Sequence, residues 1–180
     1  FAHPCQAMAD LFTIREQVGT LKGRTVAWVG DANNVARSLA LGCGKVGMRF
    51  VMATPEKYQF DQDSLDHIKQ VVPELEMTVT TDPAEAVADA VAVYTDVWTS
   101  MGQEAENKQR KLDFAAYQVN AQLMSHTQKG AFFMHCLPAR RGQEVTDEVI
   151  DSPQSVVVQQ AGNRMHAQKG ILAWLLGVKA

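Results

Sequence analysis

The sequence predicts a doubly wound, three-layer α/β/α domain of Rossmann-like type, with a parallel sheet of five or six strands. Two patterns in its 180 residues carry that prediction. Short runs rich in apolar, β-branched or aromatic residues recur at 25–30, 49–54, 76–81, 90–95, 131–137 and 155–160. Segments with helical spacing separate most of them, as where Val35, Leu39, Cys43 and Val46 follow at intervals of four, four and three. Strands apolar throughout, alternating with amphipathic helices, belong to a parallel sheet covered on both faces. The crossovers are expected to be right-handed.

Residues 4–18 read as a helix, with Pro4 in its first turn and Met8, Leu11 and Phe12 on one face. His3 and Gln6 are three apart and share a face there. The run at 25–30 ends in Gly30-Asp31-Ala32-Asn33-Asn34, a strand-to-helix turn. Asp31 or Asn33 suits a helix N-cap. Asn34 is placed to meet a ligand carboxylate at the helix N-terminus. Gly42-Cys43-Gly44-Lys45-Val46-Gly47 matches G-x-G-x-x-G, but it ends a helical stripe and precedes a strand, the reverse of the dinucleotide context. Gly47 reads instead as a C-cap, and Gly42 and Gly44 as sites of close helix–sheet packing.

The run at 90–95 delivers Asp96, a carboxylate at a strand's carboxyl end, placed to hold a ligand ammonium. Ser100, Met101 and Gly102 follow and offer a hydroxyl, a backbone N–H and a hinge for a closing loop. The polar stretch Gly102–Lys111 reads as a solvated helix face or loop. Leu112, Ala115, Ala116, Val119 and Leu123 form a further helical stripe. The run at 131–137 leads into His135-Cys136-Leu137-Pro138. Adjacent strand residues point to opposite faces, so Cys136 is expected at the crevice, His135 is expected to be structural, and the two do not form a nucleophile pair. A last helix over 163–176 opens with Arg164, whose guanidinium suits a phosphate or a surface ion pair. The first and last helices lack strands of their own. The expected division is 1–19 as a bridging helix, 20–162 as the α/β domain and 163–180 as a helix returning toward a missing neighbour.

A net charge of −3 and a pI near 5.9 leave no basic footprint for nucleic acid. No apolar run has the length of a membrane span, and the N-terminus has no signal-peptide pattern. Cys5, Cys43 and Cys136 are widely separated, which gives no zinc spacing and points to a reducing, cytoplasmic compartment. The chain begins with Phe1, so it is expected to be a piece of a longer protein or a processed product.

Five segments, in order, resemble the ornithine carbamoyltransferase family: His3-Pro4-Cys5-Gln6, Gly30 to Asn34, Asp96-Val97-Trp98-Thr99-Ser100-Met101-Gly102, His135-Cys136-Leu137-Pro138, and Asn163-Arg164-Met165-His166-Ala167-Gln168-Lys169. The stretch Glu144–Ile150 is also similar to that family. The resemblance covers essentially the whole chain. It implies transfer of a carbamoyl group from carbamoyl phosphate to the side-chain amine of L-ornithine, giving citrulline and phosphate in arginine biosynthesis, with no metal and no cofactor. It implies that His3, Gln6 and Arg164 meet carbamoyl phosphate, that Asn34, Asp96, Ser100 and Met101 hold ornithine, and that Cys136 and Leu137 lie beside the reacting groups. His3, Asp96, Cys136 and Arg164 are the implied catalytic residues.

The family's phosphate-binding Ser-x-Arg-Thr-Arg loop, which belongs to its first domain, is absent from this sequence. The isolated chain is therefore expected to fold but not to catalyse. The resemblance further implies a homotrimeric parent joined through that first domain. Gly162 stands where the family has an acidic residue, a departure in the turn before Arg164. Competing readings are a carbamoyltransferase for putrescine or an acylated ornithine, a nucleotide-binding oxidoreductase domain, and a non-catalytic amino-acid-binding module. The Ser100-Met101-Gly102 loop favours free ornithine among the amines, and the misplaced glycines speak against a dinucleotide.

Overall fold

The computed structural model describes residues 2–178 apart from 101 and 103. Strands β1 (Thr25–Val29), β2 (Arg49–Ala53), β3 (Met77–Thr80), β4 (Ala90–Thr95) and β5 (Phe132–His135) form one parallel sheet in the order β3-β2-β1-β4-β5. The chain works outward from β1 to β3, then returns to lay β4 on the other side of β1. The strand order therefore reverses between β1 and β4, which opens a crevice at their carboxyl ends.

Alternate residues of β1, β2, β4 and β5 enter two separate cores, and β3 adds Met77 and Val79 to the first. Val26, Trp28, Phe50, Met52, Tyr94 and Met134 face helices α1 (Pro4–Val18), α2 (Asn34–Val46) and α3 (Gln62–Val71), through Ile14, Leu39, Cys43 and Ile68. Ala27, Val29, Val93 and Phe133 face α4 (Pro83–Val87), α6 (Ala121–Ser125) and α7 (Asp147–Ile150), together with Phe114 and Tyr117. Both faces of β1, β4 and β5 are apolar, which is why these strands read as hydrophobic runs. Helix α5 (Asn107–Asp113) follows the loop after β4, and the long α8 (Val157–Leu175) packs along α1.

The turn from β1 into α2 is set locally. Gly30 takes φ 142°, and a Cβ there would lie 3.5 Å from Thr95 Oγ1. Only glycine adopts that backbone at little cost. Asn33 then caps α2, its Oδ1 accepting from the Val35 and Ala36 N–H groups. At the other end Gly47, at φ 71°, is the left-handed C-cap that its position predicts.

Three expectations are corrected. Residues 155–160 do not form a sixth strand. Ser155 makes a single bridge to Phe133, and Val157 already begins α8, six residues before the predicted start of the last helix. Valine's preference for strands yields here because Val158 is exposed while Gln160 is buried on the helix face that meets the protein. The stripe from Leu112 to Leu123 is not one helix. It breaks into α5, a single turn at Ala115–Tyr117 and α6, because the aromatic rings of Phe114 and Tyr117 do the burying while Leu112 stays exposed. Gly42 and Gly44 serve helix–helix contacts rather than helix–sheet contacts: a Cβ on Gly42 would meet Leu11 Cδ1 at 2.8 Å, and one on Gly44 would meet Val72 Cβ at 2.6 Å.

The helical glycines should therefore differ in stability measurements. Gly44→Ala collides with a Cβ that cannot move without its backbone, and should cost roughly 1–3 kcal/mol. Gly42→Ala meets a rotatable leucine tip and should be much milder. Gly162→Ala, with open space around it, should stabilise by up to about 1 kcal/mol through helix propensity. Urea denaturation of the three variants checks the order.

Candidate active site

Two groups of residues converge on the crevice. The first comes from strand ends. Asp96 directly follows β4, and its Oδ2 accepts from Asn33 Nδ2 at 2.8 Å while Oδ1 accepts from the Val97 N–H at 2.8 Å. Asn33 thus caps α2 with one side of its amide and holds Asp96 with the other. Asn34 opens α2 beside it, half-buried. Cys136 directly follows β5, and its thiol lies within 4.8 Å of an Asp96 carboxylate oxygen. Burial, reinforced by the Asp96 charge, pushes that thiol far above its ordinary range. Cys136 is therefore a neutral S–H donor, not a thiolate.

His135 lies on the opposite side of the strand, as alternation predicts, fully buried with its Nε2 3.2 Å from Glu144 Oε1. It nevertheless reaches the site. Its Nδ1 accepts from the Leu137 N–H at 2.8 Å, which pins the turn carrying Leu137. Leu137 has φ 58°, a region sparsely populated by residues with a Cβ, and precedes a cis peptide bond to Pro138. Asp96, His135 and Cys136 bring donor atoms within 4.8 Å of one another. Both His135 nitrogens are already engaged and the thiol stays protonated, so the set does not suit a metal.

The second group comes from α1 and α8. His3, just before α1, is held by its own N–H to Ser38 Oγ at 2.8 Å. Partial burial and the Arg164 guanidinium push its imidazole below the usual value, while Asp96 pulls it back up. His3 therefore senses one residue from each group. Arg164 Nη1 donates to Gln6 Oε1, and Gln6 Nε2 donates to Asp10 Oδ1 at 2.7 Å. Asp10 is completely buried. The same Oδ1 accepts from Gln160 Nε2 at 2.7 Å, and Oδ2 accepts from the Tyr94 hydroxyl at 3.0 Å. Gln160 Oε1 in turn accepts from the His135 N–H at 2.9 Å, which ties the helices to the end of β5. Arg164 Nε is buried and has no hydrogen-bond partner among the described residues, so part of the guanidinium fork remains for an outside group.

The loop after β4 is anchored at its far end. Arg110 is buried, pairs with Asp31 Oδ2 at 3.1 Å, donates to the Trp98 carbonyl at 2.9 Å and lies 4.7 Å from the Tyr58 ring centroid. The stretch Gly102–Lys111 is therefore not wholly a solvated face. Asp31 is this clamp's acid rather than the N-cap. Ser100 is half-buried in the loop, and Met101 lies outside the described residues.

His3, Gln6, Asn34, Asp96, Cys136, Leu137 and Arg164 thus all stand around one end of the sheet. Sequence reasoning missed the residues that hold them: Asp10, Tyr94, Gln160, Glu144 and Arg110. Gln6 and Asp10, four apart and so on one helix face, opposite Met8, Leu11 and Phe12, were the available signal. An apolar groove of about 480 Å³ lies elsewhere, between the outer faces of α1 and α8, lined by Met8, Phe12, Gly170, Ile171 and Trp174. His166 is its one titratable residue, which marks it as a packing surface rather than a chemical site.

Comparison with known proteins places the chain's fold and family. The family described as aspartate/ornithine carbamoyltransferase, Asp/Orn binding domain, matches residues 22–175. The ornithine carbamoyltransferase of Carboxydothermus hydrogenoformans is 54% identical over 98% of this chain and 58% of its own length. That of Pyrococcus abyssi is 52% identical over 98% of this chain and 56% of its own. The solved structure of the Pyrococcus furiosus ornithine carbamoyltransferase superposes with TM-score 0.90 at 52% identity, covering 96% of this chain and 56% of that one. The Giardia lamblia ornithine transcarbamoylase, at 30% identity, still gives 0.89. The chain spans a little over half the length of the curated relatives it matches.

Asp10 gives the stability a pH dependence of definite sign. Burial pushes its carboxyl up to about 7, against about 3.9 when unfolded. Between those values the folded chain keeps a proton that the unfolded chain has lost, so stability falls as pH rises, and the dependence flattens above about 7. At about 1.4 kcal/mol per unit, the loss attributable to Asp10 is on the order of 4 kcal/mol. Urea denaturation at about pH 5 and pH 8 should show a drop in the wild type that Asp10→Asn removes.

Proposed function

The chain belongs to the aspartate/ornithine carbamoyltransferase family, matching its Asp/Orn-binding domain, and from that premise we propose that it is the ornithine-binding half of an ornithine carbamoyltransferase. The observation that carries the reading is the electrostatic meeting of His3, Arg164 and Asp96, which joins the helix-borne residues and the strand-end residues in one crevice. Asn34, Asp96 and Ser100, with the Met101 backbone, hold the amino-acid head of L-ornithine. Gln6, His3 and Arg164 hold carbamoyl phosphate from the opposite side, and Cys136 and Leu137 line the meeting point.

The chemistry follows from the charges. An alkyl ammonium has a pKa near 10.4 and attacks only after losing a proton, which a desolvated pocket favours. The free amine pair then forms a bond to the carbamoyl carbon while the bond to the phosphate oxygen breaks. Phosphate departs with the electron pair; of the two protons the ammonium nitrogen loses, the first goes to solvent before attack and the second, shed as the C–N bond forms, goes to the departing phosphate. Negative charge that builds on the carbamoyl oxygen meets Arg164 and a His3 imidazole, which act as fixed donors. The thiol of Cys136 stays protonated beside Asp96, so no covalent enzyme intermediate is required. Much of the acceleration comes from holding two substrates in contact.

The exposed outer faces of α1 and α8, with Met8, Phe12 and Trp174, are where the other half of the enzyme packs. The bridging helix 1–19, the domain 20–162 and the returning helix 163–180 are the parts on this side of that joint. The same reading includes a homotrimeric parent in a cytoplasmic compartment. No described helix is long and apolar enough to cross a membrane. A role in arginine biosynthesis is supported by the Pyrococcus furiosus relative, which is named an anabolic ornithine carbamoyltransferase.

Citrulline formation tests the reading. Supplied with L-ornithine and carbamoyl phosphate, an enzyme that joins this chain to a carbamoyl-phosphate-binding half should form citrulline, and the chain alone should not. Cys136→Ala in the joined enzyme should lower kcat by about tenfold or more and leave the urea midpoint nearly unchanged. Comparable turnover with putrescine, or turnover by the chain alone, would contradict the assignment.

A further inference from the structure

We propose that Asp10 is a positioning residue for Arg164, acting through the side-chain amide of Gln6. The inference rests on the proposed function for its catalytic consequence, but its geometry stands apart from that reading.

An ionised carboxylate can only accept hydrogen bonds. Gln6 must therefore turn its NH₂ toward Asp10, and this leaves Oε1 as the atom that faces Arg164. Gln160 is set the same way: its NH₂ points at Asp10, so its Oε1 is left to accept from the His135 N–H. One buried acceptor thus fixes the direction of two amides, one on each helix. Each amide passes that direction to a site element, Arg164 in one case and the end of β5 in the other. Tyr94 supplies the third donor from the sheet. Among the described residues the Arg164 side chain makes no other hydrogen bond, and its buried Nε is left without a partner.

Protonating Asp10 changes the logic, because the carboxyl then carries a donor. The Gln6 amide can turn over to accept from it, and its NH₂ then faces a guanidinium that has nothing to accept with. Arg164 loses its hold. The groups that face Asp10 are Gln6 from α1, Cys43 from α2, Tyr94 from β4, Cys136 after β5, and Gln160 and Arg164 from α8. Arg164 is the cation that the Asp10 carboxyl senses. Burial brings the carboxyl's titration to about 7, so both amide orientations are accessible near neutral pH.

Nuclear magnetic resonance of this chain tests the proposal. With ¹⁵N and ¹³C labels, the Asp10 carboxyl, the Gln6 side-chain amide and the Arg164 side-chain nitrogens should titrate with one shared midpoint. In Asp10→Asn the Arg164 signals should stop responding to pH over that range. If Asp10→Asn does not fold, Gln6→Ala decides: Asp10 should still titrate, and Arg164 should keep only the small response that its direct sensing of the Asp10 charge produces. Arg164 signals that ignore the Asp10 titration in the wild type, or that follow it with undiminished amplitude in Gln6→Ala, would overturn the proposal. In a joined two-domain enzyme, Asp10→Asn should raise the KM for carbamoyl phosphate by about tenfold to a hundredfold with little change in the KM for ornithine. An equal change in both, or none, would refute the positioning role. A wild-type joined enzyme that makes no citrulline would refute the functional reading instead and leave the resonance result standing.

Discussion

A carboxylate cut off from water must find its donors inside the protein or give up its charge. Asp10 finds three, from α1, α8 and β4, and that requirement shapes the whole side of the molecule on which the site is built. The interface between α1 and α8 is polar. Below Asp10, Asn163 Nδ2 donates to Thr13 Oγ1 and to Glu16 Oε2, and Gln159 bridges Gln17 and Glu16. With their polar residues committed inward, these helices turn apolar residues outward, and Trp174 is left 77% exposed and Met8 51%. Hydrogen bonds have direction and apolar contacts do not, so this interface fixes the rotation of each helix about its axis. That rotation aims Gln6 and Arg164 at the crevice.

The strand-end half is supported by a different device. Several polar groups there are held by neighbours that are themselves held. Asn33 caps a helix and anchors Asp96, Cys136 lies beside Asp96, and Glu144 backs the imidazole that pins Leu137. Glu144 also accepts from the Arg140 N–H, which closes the turn after β5 onto the same carboxylate. Arg110 performs the matching task for the loop after β4, fastening Trp98 and Asp31 together. Such supports fix the positions of the candidate site groups, which is what the proposed catalysis by positioning requires.

The fold was legible in the sequence where burial and local chemistry agree. Strands β1, β2, β4 and β5 have apolar residues on both faces and β3 on one, so their runs were visible, and the turn at Gly30–Asn34 and the cap at Gly47 carried their own signatures. The errors arise where the two conflict. Val156, Val157 and Val158 read as strand, yet Gln160 and Asn163, which no propensity marks as core, dictate a helix. Most residues of the site were legible through their places at strand ends and helix starts. Their supports were not, because Asp10, Gln160 and Glu144 matter through partners up to 150 positions away. Spacing along the chain carries no record of such pairs. Arg110 was hidden among charges that mostly do face solvent.

The central claim is that ligand recognition belongs to the carboxyl ends of β1, β4 and β5. Titrating the ¹⁵N-labelled chain with L-ornithine, and following its backbone amide resonances, addresses that claim most directly. The shifts should gather at Asn33 to Val35, Asp96 to Gly102 and Cys136 to Leu137, while the amides around Thr25, Arg49 and Glu76, at the opposite edge of the sheet, stay in place. Shifts centred on that opposite edge, or on the apolar groove between Phe12 and Trp174, would contradict it.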